Sequence, residues 1–167
     1  LAKGGKEGFY NMIAIQRPGQ TPLEIEYLLI DYEGTLAMDG RVHPKAKDKI
    51  NLIAKRISVY ILAKSEQERV EKSLKNVKAE LLFMTEGEAS AEKSSILRKL
   101  GSEKTVAIGN GVDDAPMLEE SGFSICVIGK EGTSGETLKR ADLVVTDILD
   151  ALDLLLKPLR QKATLGL

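Results

Sequence analysis

A chain of 167 residues, 43% of them hydrophobic, has the length of one domain and enough apolar content to bury a core. Its 24 basic and 25 acidic side chains leave a formal charge of -1, which excludes a general attraction to nucleic acid or to an anionic membrane and leaves any anionic ligand to local charges. The lone cysteine, Cys126 in the apolar run FSICVIG, excludes an internal disulfide and reads as a small core residue in a reducing compartment.

No apolar stretch approaches the roughly 18 residues that span a bilayer, and the start LAKGGKEG has no apolar secretory core. A soluble cytoplasmic protein with no membrane partner is expected. Residues 1–11 are expected to be upstream or added sequence outside the fold, and residues 12–167 to form a single domain. The run MIAIQRPGQTPLEIEYLLI at 12–30 alternates around a Pro-Gly turn signal and predicts a hairpin. Its second arm becomes continuously apolar from Tyr27 to Ile30, as a strand covered on both faces does, and so predicts a central strand.

Strands and helices then alternate. The pattern predicts a helix over 44–55, a strand over 57–62, a helix over 65–77, a strand over 79–84 and a helix over 89–100. A strand over 105–108, a helix over 113–120, a strand over 123–128, a short helix over 135–140, a strand over 143–145 and a helix over 147–156 follow. Such alternation with short connections implies a Rossmann-like, three-layer α/β/α architecture with a mainly parallel sheet and right-handed crossovers.

In sheets of this kind ligands bind beyond the carboxyl ends of the strands, where the winding reverses. Three polar segments follow predicted strands: DYEGTLAMDG at 31–40, AKSEQ at 63–67 and GNGVDDAPML at 109–118. Lys93, on the helix between the last two, is within reach of the same rim. Asp31 directly follows an apolar strand, so its carboxylate projects into the crevice as a candidate nucleophile for a phosphoryl group. Glu33 is the candidate general acid and base. Asn110, Asp113 and Asp114 would repel Asp31 unless a cation lay between them, and Mg2+, a hard ion that favours oxygen ligands, is the expected cofactor. Lys93 is the candidate fixed charge for the transferring oxygens.

Each assignment has a plainer counterpart. Asp31 also suits a turn cap before Gly34 and Thr35. Asp113 and Asp114 also suit the positive end of a helix dipole, and Lys93 also suits a solvated helix face. The isolated His43 reads as a loop residue, and Tyr32 and Met38 as packing around the turn.

Together, DYEGTLAMDG, Lys93 and GNGVDDAPML resemble the first, third and fourth motifs of the haloacid dehalogenase superfamily. The run from Met12 to Leu165, with its ending ADLVVTDILDALDLLLKPLRQKATL, is similar to the small soluble relatives of P-type ATPase phosphorylation domains. The resemblance implies that Asp31 is nucleophile and metal ligand, that Glu33 offers its main-chain carbonyl to the metal, and that Lys93 bridges nucleophile and phosphate. Asn110 falls where many members carry a metal-binding Asp and contributes an amide oxygen beside the metal and phosphate. Asp114 matches the second acid of motif four, and Asp113 stands where the pumps carry Asn.

Two departures accompany this likeness. Glu33 is one methylene longer than the Asp usual for the general acid, so its carboxyl is expected to overshoot and activity to be slow. Ala63 replaces the Thr or Ser that ends the second motif, leaving Ser65 or Lys64 as substitute phosphate binders, with Ser65 alternatively capping a helix against Glu68. The short spacings leave no room for a cap domain, so the open crevice is expected to be covered by a large substrate or by neighbouring subunits of a homo-oligomer such as a tetramer. The expected function is hydrolysis of a phosphorylated substrate. The alternative is a regulatory module that binds phosphate or metal without turnover.

Overall fold

The computed structural model describes residues 12–162 and 164–166, so the expectation for residues 1–11 lies outside the described residues. The N-terminal hairpin is present: β1 (Ile13–Ile15) pairs antiparallel with β2 (Leu23–Ile25), with Ile13 opposite Ile25 and Ile15 opposite Leu23. In both strands the outer residues are buried and the middle one exposed, the period-2 signature of a strand with one covered face.

The chain then enters the main sheet as β3 (Tyr27–Asp31), in which Leu28, Leu29 and Ile30 have no exposed surface. The flanking strands are β6 (Ser58–Ala63) and β8 (Thr105–Gly109), both parallel to β3. With β7 (Glu80–Phe83), β9 (Phe123–Val127) and β10 (Leu143–Val145), the order is β10-β9-β8-β3-β6-β7. From β3 the chain winds out to β6 and β7, then returns to β8 and winds the other way. The reversal lies at β3 and β8, where such sheets open a crevice.

Helices cover both faces. Leu28, Ile30, Ile61 and Ile108 belong to one apolar cluster with α1 (Pro44–Ile53), α2 (Gln67–Ser73) and α6 (Ile148–Leu156). Leu29, Leu62 and Ala107 face α3 (Ala89–Leu100) and α4 (Ala115–Glu120) in another, and α5 (Gly135–Arg140) packs on α4. Full burial of each aliphatic side chain is worth about 1.5–3 kcal/mol, which is why β3 reads as an unbroken apolar run.

Most predicted elements are where the sequence put them, with shifts of one or two residues at several ends and a larger one in a single helix. The helix expected over 65–77 occupies only Gln67–Ser73, and Asn76 turns the chain with φ +66°. Glu66, not Ser65, is its N-cap residue, so the Ser65 capping box does not form. His43 lies outside any strand or helix, as expected, and its Nδ1 accepts from the Lys45 N–H at 3.1 Å, which caps α1 at its first residue, Pro44. Between β3 and α1 the chain forms a small hairpin, β4 (Ala37–Met38) with β5 (Arg41–Val42). No cap domain is inserted after β3 or β6. No helix among the described residues is long and apolar enough to cross a membrane.

Helix α6 lies against α1 and starts at Asp147, whose side chain accepts from the Leu149 N–H at 2.7 Å. Asp147→Ala removes that cap and is predicted to lower unfolding free energy by about 1 kcal/mol, measured by urea denaturation with an unchanged m-value. Retention of wild-type stability would show that the side chain is not a cap.

Candidate active site

Asp31 is the last residue of β3 and only 3% exposed. Beyond it the chain must reverse within a few residues. Gly34 makes that possible, with φ +73°, and a Cβ there would lie 2.6 Å from the Asn110 amide nitrogen. The turn directs the buried Thr35 hydroxyl back to the site, where it lies 3.2 Å from Asp31 Oδ2 and 2.9 Å from Asn110 Oδ1. Thr35 was not singled out from sequence, although it sits in the DYEGT segment.

Lys93 comes from α3, whose buried residues include Ala89, Lys93 and Leu97. That i, i+4, i+8 spacing sets Lys93 on the sheet-facing stripe, so the solvated-helix alternative does not hold. Its side chain is 1% exposed, and Nζ donates to Asp31 Oδ1 and Asp114 Oδ1, both at 2.7 Å. Asp114 is fixed in turn by a tight 3-10 turn, Val112–Asp114, and its Oδ2 accepts from the N–H groups of Asn110 and Gly111, both at 3.0 Å. Gly109 allows this close packing, since a Cβ there would meet Asp114 Cγ at 2.6 Å.

Two carboxylates and one ammonium leave a buried excess of negative charge. Burial first, then the nearby Asp114 charge, push the Asp31 carboxyl up to about 8 despite the opposing pull of Lys93. The Lys93 ammonium is held in its charged form: burial disfavours it, but the charges and hydrogen bonds of Asp31 and Asp114 outweigh burial and raise its pKa.

The predicted residues therefore divide into groups. Asp31, Lys93, Asn110 and Asp114 converge. Glu33 points at the neighbouring loop, where its Oε1 accepts from the N–H groups of Lys64 at 2.8 Å and Ser65 at 2.6 Å, while Oε2 is buried without a partner. The extra methylene thus reaches the loop after β6, and Ser65 contributes a main-chain N–H there. Asp113 turns outward: Lys64 Nζ donates to its Oδ2 at 2.8 Å, and this bond holds its carboxyl below the usual carboxylate range. Both oxygens of Asp114 are committed to Lys93 and main-chain donors. The side chains of Asp113 and Asp114 are thus each paired with a lysine, Lys64 and Lys93 respectively.

The remaining oxygens suit a hard cation. The Asn110 amide nitrogen faces the Gly132 carbonyl at 3.4 Å and its oxygen faces Thr35. One hydroxyl proton thus stands between two oxygen acceptors, Asp31 Oδ2 and Asn110 Oδ1, beside a carboxyl whose ionised form has no counter-charge of its own. Among the described residues no three acidic, histidine or cysteine side chains converge on a metal-sized point. The fit consequently rests on one carboxylate with amide and main-chain oxygens.

No family model matches the chain. It is 46% identical over 82 residues to the uncharacterized protein MJ0073 of Methanocaldococcus jannaschii, an overlap of 47% of this chain and 88% of that protein. Among solved structures it is similar to the cobalt-bound deoxy-D-mannose-octulosonate 8-phosphate phosphatase of Haemophilus influenzae, with a TM-score of 0.68 and 17% identity over 86% of this chain and 94% of that one. The 3-deoxy-D-manno-octulosonate 8-phosphate phosphatase of Moraxella catarrhalis, crystallised with magnesium, phosphate and KDO, matches with a TM-score of 0.67 and 18% identity over 84% of this chain and 90% of that one. A putative haloacid dehalogenase superfamily hydrolase of subfamily III A from Legionella pneumophila matches with a TM-score of 0.66 and 20% identity over 85% and 87% of the two chains. These likenesses establish that the fold is the haloacid dehalogenase fold expected from the three motifs.

The raised Asp31 pKa makes metal-free stability depend on pH. The folded protein holds this proton more tightly than the unfolded chain, where an Asp carboxyl titrates near 3.8. The contribution is therefore complete below about pH 4 and is lost as pH rises through about 8. In chelator, Asp31→Asn is predicted to flatten thermal stability between about pH 5 and 8 and to melt above wild type at the upper end. A variant with the same pH slope as wild type would contradict the assignment.

Proposed function

We propose, for a chain that belongs to the same family as the Methanocaldococcus jannaschii protein and carries the haloacid dehalogenase fold, that it is a magnesium-dependent phosphoric monoester hydrolase acting through an aspartyl-phosphate on Asp31. The observation that carries this reading is the buried meeting of Asp31, Lys93 and Asp114 at the carboxyl edge of the sheet, where the winding reverses. A structural role alone gives little reason to bury an excess carboxylate there, because apolar residues would pack the same space without the desolvation cost.

Asp31 with the Asn110 amide oxygen and the Glu33 main-chain carbonyl would hold the cation. When bound, Mg2+ supplies charge that favours ionised Asp31 and offsets the charge of the phosphoryl oxygens. An Asp31 carboxylate oxygen attacks phosphorus, the bond to the leaving oxygen breaks, and the protonated Glu33 carboxyl gives that oxygen its proton. Water then attacks the aspartyl-phosphate, Glu33 takes the proton, and inorganic phosphate departs with Asp31 restored. Lys93 neutralises the transferring oxygens while Asp114 and the Asn110 and Gly111 amides keep its ammonium in place.

The Lys64 and Ser65 N–H groups, now on Glu33, are suited to phosphate oxygens and compensate for the missing hydroxyl at Ala63. Glu33 leaves them as phosphate arrives, which frees its carboxyl for proton transfer. That same contact favours the second reading, a regulatory module, if Glu33 never yields the amides. Absence of a cap supports a large substrate or a covering neighbour in a homo-oligomer, and the near-balanced charge supports a cytoplasmic setting without nucleic acid or membrane partners. The GNGVDDAPML segment supports kinship with the soluble relatives of P-type ATPases.

Hydrolysis of a chromogenic aryl phosphate should require Mg2+ and fall at least about a thousandfold in Asp31→Asn, with a loss of about a hundredfold or more in Lys93→Ala. Wild type as inert as Asp31→Asn across a panel of esters, while phosphate and Mg2+ still bind, would favour the regulatory module.

A further inference from the structure

A cavity of about 860 Å³ opens beside the crevice between the β4–β5 hairpin, α1 and α2. Two of its lining residues connect it to the site. Tyr32, in its wall, is the residue after Asp31, and Ser65, at its rim, is the residue whose N–H is held by Glu33 at 2.6 Å. Four cationic side chains line it, Arg41 from β5, Lys47 from α1, and Arg69 and Lys72 from α2, against the two acids Asp39 and Glu66.

These cations have little else to do. Among the described residues Arg41, Lys47 and Lys72 form no ion pair. Arg69 has a loose 3.9 Å contact with Glu66, with both side chains more than half exposed, a geometry that contributes little. The other large cavity, about 720 Å³ beside Tyr27 and Tyr60, is different: Lys55, Arg56 and Lys78 are matched there by Glu24, Glu26 and Glu80. Of these two cavities, the one reached through Tyr32 and Ser65 has the unbalanced cationic wall. Concave low-dielectric walls of one sign focus a field and concentrate an oppositely charged ligand.

We propose that this cavity is the subsite for the leaving group, and that it takes phosphate esters bearing a second anionic group, a carboxylate or another phosphate, at the end remote from the reacting phosphoryl. Its volume of about 860 Å³ lies in the range of small-molecule pockets and leaves ample room for a six-carbon chain with two charged ends. Calling the bound molecule a substrate rests on the phosphatase reading; the preference for a second anion does not.

Three open-chain six-carbon probes separate these claims: sorbitol 6-phosphate, 6-phosphogluconate, which adds a carboxylate, and sorbitol 1,6-bisphosphate, which adds a phosphate. Phosphate release and calorimetric binding are measured for each with wild type, Arg41→Glu/Lys47→Glu and Arg69→Ala/Lys72→Ala, all checked for native circular dichroism. The expected result is that kcat/KM for one or both dianionic-ended probes exceeds that of sorbitol 6-phosphate by about tenfold or more, that the ratio collapses in both variants, and that salt erodes it. Whichever of the two is preferred identifies the second group. Hydrolysis of all three at equal efficiency, with ratios unmoved by the substitutions, overturns the subsite and leaves the phosphatase reading intact. Discriminating binding without any turnover, lost in the variants, upholds the anion subsite and overturns the phosphatase reading.

Discussion

A lysine ammonium clasped between two buried carboxylates is the contact on which the rest of the structure depends. Lys93 joins α3 to the end of β3 through Asp31 and to the turn after β8 through Asp114, so three elements from distant parts of the chain are fixed at one point. Removing the ammonium from such a buried cluster typically costs about 3–5 kcal/mol, because the two carboxylates lose their compensation. The cluster also sets local geometry. Asp114 can hold Lys93 only because its other oxygen is gripped by two main-chain N–H groups, and Gly109 leaves space for it.

The same cluster is electrostatically incomplete, and its chemistry follows from that. Burial, and then the neighbouring Asp114 charge, raise the Asp31 carboxyl to about 8 and leave a place for positive charge. On the proposed reading, a cation would supply it and return the carboxylate to the ionised form that nucleophilic attack needs. Stability given up at one carboxylate would then become reactivity once the missing charge is present. Glu33 belongs to the same economy, since its carboxylate rests on the Lys64 and Ser65 amides that a phosphate group would also seek.

Where the pattern in the sequence is dictated by burial, it was easy to read. The apolar run at β3, the alternation in β1 and β2, and the stripe of α3 all follow from which faces are covered, and all appear as expected. Asp31, Asn110 and Asp114 are legible because they follow strand ends at the sheet's carboxyl edge, and Lys93 because its helix lies between two such segments. What escaped depends on contacts between segments far apart in sequence. Nothing local says that Asp113 turns to Lys64, or that Glu33 reaches amides thirty-odd residues away. Two-residue strands such as β4 and β5 carry too little periodicity to be seen. The cationic cavity is likewise an assembly of Arg41, Lys47, Arg69 and Lys72 from three elements, each an ordinary surface residue in the sequence.

The most direct measurement is a crystal structure with Mg2+ and beryllium fluoride, a mimic of the phosphoryl group. The account requires the fluoride adduct on Asp31, with Lys93 and the Lys64 and Ser65 amides around its fluorines, the cation against Asp31 and Asn110, and the Glu33 carboxyl moved off the loop. A structure in which Asp31 remains bare and Glu33 keeps both amides, at concentrations saturating for such adducts, would contradict it.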